Sequence, residues 1–216
     1  MKPTMQTVGP SKTEPRWPAI VTLILAFGLI QLLPSRYLIV GPWIPWVLFG
    51  AGIGTMLAVA LAPTSLLWLR IERVTIIGLF IIVCTLIILG IVRLVADILA
   101  SKHGYGSLTL LETAAEIWTV NILIFALLYW QVDGSMPETH RADFRFADKD
   151  DAETSPDWEP RFVDYLFLAF AASTSFTPPE YSRPLSHRAK LMLMLQATIS
   201  LTTLFLIASR AISTLS

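Results

Sequence analysis

Read from the N-terminus, the chain alternates long apolar runs with short polar breaks. A polar, proline-containing tail, residues 1–16, precedes a first run from Trp17 to Leu33, with Pro18 suited to a first helical turn and Pro34 to a stop. A second run starts within "GPWIPWVLF" and reaches about Ala62, and its Trp43 and Trp46 suit a membrane interface. "PTSLLWLRIER" reads as a connection, and the most hydrophobic run follows, from Val74 to about Leu99. After the turn "SKHGYGS" a fourth run extends from about Leu108 to Trp130. Some thirty polar residues then lead to a short apolar segment, Phe162 to Phe176, and a last run from about Ala189 to Ile212. A helix over Phe162–Phe176 would reach about 22 Å, less than the roughly 30 Å of a bilayer core. The pattern predicts an all-α integral membrane protein of about five transmembrane helices. One short re-entrant or interfacial helix precedes the last span.

The chain divides accordingly. Residues 1–16 form a flexible tail, 17–107 a three-span region, and 108–216 a span, an acidic loop over 131–160, the short helix over 162–176 and a final span over 189–212. No signal-peptide cleavage pattern follows the first run, which is expected to be retained.

Composition agrees with this class. The chain is 54% hydrophobic and 15% charged, with a mean hydropathy of +0.63. Its 16 basic and 16 acidic residues cancel, and no basic patch with interleaved aromatics points to nucleic acid. Cys84 stands alone and forms no internal disulfide. His103, His140 and His187 lack metal-ligand spacing, and no nucleophile elbow, zinc motif or phosphate loop occurs. No catalytic residue, metal or cofactor is expected, and the chain does not read as an enzyme.

Ionisable groups in apolar runs are costly, and they mark function or mutual pairing. Arg93 and Asp97 lie four apart near the end of the third run, and Glu112 and Glu116 four apart near the start of the fourth. A short turn between antiparallel helices would gather all four at one membrane face. Either they attract or handle ions there, or they pair with one another and lower the cost of burial; the mixed signs favour pairing. Asn121 lies deeper and is expected to hydrogen-bond a neighbouring helix. Gly50 and Gly54 have the spacing that lets helices approach closely, a spacing also ordinary in membrane helices. "GYG" at Gly104–Gly106 has the letters of a potassium filter but follows a complete span, so it reads as a turn.

From Leu108 onward the order span, loop, short helix, break, span is the plan of a two-span pore module. The segment "DYLFLAFAASTSFTPPEYSRPLSHRAKLMLMLQATISL" resembles the pore helix and last helix of two-span potassium channels. The resemblance rests on Asp164 opening a half-helix rich in Tyr165, Phe167 and Phe170, on Ser173, Thr174 and Ser175, on Pro184, and on Arg188 leading the last helix. Where those channels carry Thr-Val-Gly-Tyr-Gly-Asp, this chain has "TSFTPPEY", and no glycine follows Gly134. Pro178 and Pro179 fix φ and favour an extended chain, so stacked carbonyl rings are not expected. The patterns "WTVNILIFALLYWQVD", "DFRFAD", "FVDYLFLAFAASTSFTP" and "PLSHRAKLMLMLQATISL" look more closely like a family of uncharacterised bacterial integral membrane proteins. That resemblance implies the bacterial cytoplasmic membrane, with multiple passes.

Two functional readings follow. In the first, the protein is channel-like, a homo-oligomer and by analogy a tetramer, conducting an ion with weak selectivity. Ser173, Thr174, Ser175 and Thr177 then form the pore loop with Asp164, and Gln196, Thr198 and Ser200 line the cavity. In the second, it is a non-conducting structural or accessory protein whose acidic loop binds a partner. Short-loop cations put the N-terminus in the cytoplasm, which with five spans brings the short helix in from the cytoplasmic side. Potassium channels have their pore loop on the outer side.

Overall fold

The computed structural model describes residues 16–33, 41, 43–61, 66–99, 107–134, 143–146, 160–175 and 182–215. Six helices and two short strands account for nearly all of them: α1 (Trp17–Leu32), α2 (Ile44–Leu61), α3 (Leu66–Leu99), α4 (Ser107–Gly134), β1 (Phe144–Phe146), α5 (Phe162–Thr174), β2 (Ser182–Pro184) and α6 (His187–Leu215). Among the described residues four helices are long and apolar enough to cross a membrane, over Ile44–Leu61, Arg70–Ala96, Leu108–Asp133 and His187–Ser209. The protein is therefore a helical, multi-pass membrane protein. α1 and α5 are apolar but shorter, at 16 and 13 residues.

Some boundaries differ from those predicted. The stretch expected to connect the second and third runs is helical from Leu66, so Arg70, Glu72 and Arg73 belong to α3. No proline or glycine interrupts the chain between Leu66 and Gly78, and Leu, Arg and Glu are good helix formers. The 34-residue helix spans about 51 Å, well beyond a bilayer core. α4 likewise runs past Trp130 to Gly134, and takes Gln131–Gly134 from the acidic loop. Part of that loop is a strand. In β1 the residues Phe144, Arg145 and Phe146 are buried, exposed and buried, an alternation only a strand produces, and β1 pairs antiparallel with β2.

α4 is the axis of the fold. Of its apolar window 61% is buried, against 39% or less in the other three long helices. α3 crosses it antiparallel, with Phe80 meeting Phe125 edge-on at 5.0 Å and Gly90 facing Ile117. α1 and α2 are antiparallel neighbours joined by Phe27 stacked on Phe49 at 4.4 Å. Within the protomer the close-approach glycine of α2 is Gly52. A Cβ there would lie 2.8 Å from Leu23 and 3.0 Å from Leu79, whereas Gly50 and Gly54 have nothing within 4 Å. Arg16, just before α1, donates through Nε and Nη2 to both carboxylate oxygens of Glu72 at 2.9 and 3.1 Å, and so ties the start of α1 to the start of α3.

α5 and α6 complete the C-terminal unit. α5 runs antiparallel to α4, from Trp130–Phe162 at one end to Trp118–Phe170 at the other. It runs parallel to α6, with Ala169 bonded to Gln196 and Ser173 to Ser200. The start of α5 is therefore level with the end of α4, and its last residues are level with Asn121 and Ser200.

Candidate functional site

Asp164 opens α5 as a cap. Its Oδ2 accepts the backbone N–H of Arg161 at 2.7 Å, in an N-terminal turn where negative charge is favoured. At the other end the chain leaves the helix at Ser175. There the backbone N–H and Oγ of Ser175 both donate to the carbonyl of Ala171, at 2.8 and 2.6 Å, and Thr174 Oγ1 donates to that of Phe170 at 3.0 Å. Carbonyls freed by the helix end are thus partly met by hydroxyls. Thr174 and Ser175 lie on the protomer surface, while Ser173 is fully buried.

Ser173 belongs to a hydrogen-bonded cluster that joins three helices. Its Oγ accepts from Gln196 Nε2 and from Ser200 Oγ, each at 2.9 Å. Gln196 Nε2 also donates to the carbonyl of Ala169 at 2.8 Å, and its Oε1 accepts from the Tyr129 hydroxyl. Ser200 Oγ accepts from Asn121 Nδ2 at 2.8 Å. All five side chains are completely buried. Buried amides and hydroxyls require such partners, and here they fix the depth of α5 against α4 and α6. Asn121 Oδ1 is buried without a partner among the described residues.

Of the residues expected to line a cavity, Gln196 and Ser200 face the interior of the protomer and only Thr198 faces outward. Thr198 Oγ1 bonds back to the carbonyl of Met194 at 2.8 Å, as Thr202 Oγ1 does to that of Thr198. The exposed stripe of α6 also carries Leu191, Met194, Leu201 and Phe205, and that of α5 carries Val163, Phe167 and Phe170. Thr177, Pro178, Pro179 and the "GYG" turn lie outside the described residues.

A second anchor holds the loop. Asp133, in the last turn of α4, accepts the backbone N–H groups of Asp143 and Phe144 on Oδ1 at 2.6 and 3.2 Å, and the Tyr165 hydroxyl on Oδ2 at 2.7 Å. Phe144 and Phe146 then stack edge-on against Tyr129 and Tyr165. Neither Asp133 nor Tyr165 stood out as a structural anchor in the sequence. Their signal was a lone acid at the end of an apolar run and an FRF alternation beyond it.

Arg93 and Glu112 are exposed and Glu116 is half-buried, its Oε2 enclosed and without a hydrogen-bond partner among the described residues, which do not include the side chain of Asp97. They share the end of the bundle where α3 finishes and α4 begins. The buried ion pair Arg16–Glu72 lies at the opposite end and was not foreseen.

Among the described residues, no group of three or more His, Cys, Asp or Glu side chains is arranged to hold a metal ion. No family model, no curated protein and no solved structure matches the chain.

Proposed function

We infer that the chain is one subunit of a channel-like homo-oligomer. In it α5 enters the membrane from one face, ends near the mid-plane and returns, and its tip borders a water-filled path. The observation that carries this reading is the height of the tip. Ser173 is bonded at the level of Asn121 and Ser200, close to the middle of the apolar windows Leu108–Asp133 and His187–Ser209. By Ser182 the chain is again beside β1, at the level of Asp133. The step from Thr174 to Ser182 can cover about 26 Å of extended chain. The climb from Asn121 to Asp133 along α4 is only about 18 Å.

A helix end at mid-membrane cannot face lipid. Irregular backbone there is tolerated only when protein buries it or water reaches it. Thr174 and Ser175 are exposed on a single protomer, so the tip needs neighbouring copies, water, or both. Copies arranged about an axis supply both, with Thr174 and Ser175 as a polar ring and Thr198 and Thr202 lining the exposed face of α6. Gln196, Ser200 and Ser173 hold the tip in place from behind. Four copies is the number by analogy with two-span potassium channels. Selectivity is weak, because the chain after Gly134 has no glycine with which to stack inward carbonyls. The end at which α5 enters also carries Arg16, Arg70, Arg73, Arg161, Arg188 and Lys190, so the path opens from the cytoplasmic side.

A second reading, a non-conducting accessory protein, is favoured by one feature: the hydroxyls of Ser173, Thr174 and Ser175 all bond within the protomer. Mass measurement of the detergent-solubilised protein, followed by ion-flux assays in liposomes, separates the two. A monomer defeats the pore. A well-folded oligomer without flux favours the accessory reading.

A further inference from the structure

Four enclosed side-chain atoms lack a hydrogen-bond partner among the described residues: Glu116 Oε2, Trp118 Nε1, Asn121 Oδ1 and Ser182 Oγ. Glu116 lies toward the start of α4 and Ser182 in β2. The other two belong together. Trp118 and Asn121 are three apart on one face of α4, at the centre of the apolar window Leu108–Asp133. Both lie against the last turn of α5: the Trp118 ring meets Phe170 edge-on at 6.5 Å, and Asn121 is linked to Ser173 through Ser200. The indole nitrogen only donates, and the amide oxygen only accepts. Reversing the Asn121 amide would let Oδ1 meet Ser200 and leave Nδ2 unpaired instead, so an unmet polar atom remains in either orientation.

Few partners can reach these atoms. Hydrocarbon offers no hydrogen bond, and an unmet polar group at this depth is costly. A neighbouring copy or a lipid headgroup would have to come from the protomer surface, yet Nε1 and Oδ1 are both enclosed. A partner must therefore be small enough to be enclosed with them. It must accept from an N–H and donate to a carbonyl at once, as a water molecule does. The end of α5 supplies further acceptors, since its last carbonyls have no amide within the helix to bond. Water held by several polar groups is a regular part of protein interiors.

We propose that Trp118 Nε1 and Asn121 Oδ1 form a binding site for water behind the tip of α5, at mid-membrane. The bound water accepts from the indole N–H, donates to the Asn121 carbonyl and keeps a second proton for a carbonyl at the end of α5. Ser200, bonded to Nδ2, fixes the Asn121 amide. The site rests on the mid-membrane depth of α5 in the proposed arrangement but does not require conduction, because an enclosed water serves the contact of α4, α5 and α6 in a closed protein as well as in a pore.

The test is hydroxyl-radical labelling of the full chain in liposomes by an X-ray pulse. Radicals formed from a bound water oxidise the side chains around it, and tandem mass spectrometry reads each site in the wild type. Trp118 is expected to be oxidised on the order of tenfold faster than Phe125, which is 1% exposed and about two turns further along α4. Asn121→Leu removes the acceptor, and labelling of Trp118 should fall several-fold, with circular dichroism confirming the fold. Water that reached the ring from a path would be indifferent to Asn121. Should that variant fail to fold, Asn121→Thr keeps a hydroxyl but loses the carbonyl, and the same fall is expected. A wild-type Trp118 no more reactive than Phe125 overturns the proposal, as does undiminished labelling in whichever variant folds. A labelled, Asn121-dependent Trp118 in a protein without ion flux would keep the water site and defeat the pore. An unlabelled Trp118 in a conducting oligomer would do the reverse.

Discussion

Ser200 Oγ, midway along α6, donates to Ser173 Oγ in the last turn of α5 at 2.9 Å, and both side chains are completely buried. A half-length helix has little apolar surface with which to fix its own depth. Here its depth is set by hydrogen bonds, since sliding α5 by one turn would take from Ser173, from Gln196 Nε2 and from the Ser200 hydroxyl proton the partners they have in a place bulk water does not reach. Gln196→Leu is the sharpest probe of this. It strips partners from the Tyr129 hydroxyl, Ser173 and the Ala169 carbonyl together. A loss of about 1–3 kcal/mol is expected, the cost of buried polar groups left unsatisfied. Thr198→Ala, two residues away on the exposed face, should stay within about 0.5 kcal/mol. Thermal unfolding in detergent compares them, and equal effects would show that the cluster does not hold α5.

The pair Arg16–Glu72 offers a second check on the assembly. Glu72 is only 2% exposed in its side chain and Arg16 12%, so removing either leaves the other charge poorly solvated. Arg16→Gln is expected to cost about 3–5 kcal/mol. Adding Glu72→Gln should return much of that loss, because no unmatched charge then remains. Additive effects in the double-mutant cycle would argue that the two charges are not coupled.

Asp133 makes a different kind of contact, one that orders a loop. Asp133→Asn weakens acceptance of two backbone N–H groups, and a hydrogen bond to a charged group is worth about 1.5–3 kcal/mol. Hydrogen exchange at Asp143 and Phe144 should accelerate at least tenfold, with the protection of α4 near Asn121 unchanged. Tyr165→Phe removes one donor and should accelerate the same amides less. Unchanged exchange in Asp133→Asn would place the origin of the ribbon elsewhere, in the Phe144 and Phe146 contacts.

These residues also mark what the sequence could and could not reveal. Hydropathy located the six helices of the described residues, because apolar length is a local property and a bilayer selects for it. It misplaced the start of α3 and the end of α4, where polar residues such as Arg70 and Gln131 continue a helix beyond the apolar zone. It recognised Ser173, Gln196 and Ser200 as polar residues in apolar runs but not which way they face. Polarity is compatible with a pore wall and with a buried bond to a neighbour. The spacing of Asn121, Phe125 and Tyr129, four apart on one face of α4, held a clue, as did Gln196 and Ser200 on α6. Arg16 and Glu72 are 56 positions apart, and no periodicity links them.

The tip of α5 decides whether water reaches the middle of this protein. Cys84 is buried at 6% exposure, and replacing it by alanine gives a background for introduced thiols. Thr174→Cys and Ser175→Cys would then place a thiol at the end of the half-helix. Ile81→Cys and Ile88→Cys would place one on the outward face of α3, where the side chains are 58% and 41% exposed. By exposure alone, all four sites would be open to a reagent. In a bilayer they differ, because a charged, membrane-impermeant reagent attacks thiolates, and thiolates form only where water is present. If the tip borders a water-filled path, Thr174→Cys and Ser175→Cys should react at least tenfold faster than the α3 pair in liposomes. Reaction should be fastest when reagent is supplied on the side that carries Arg188 and Lys190. Equal, slow labelling at all four positions would mean that protein or lipid seals the tip, and the pore reading would fail with it.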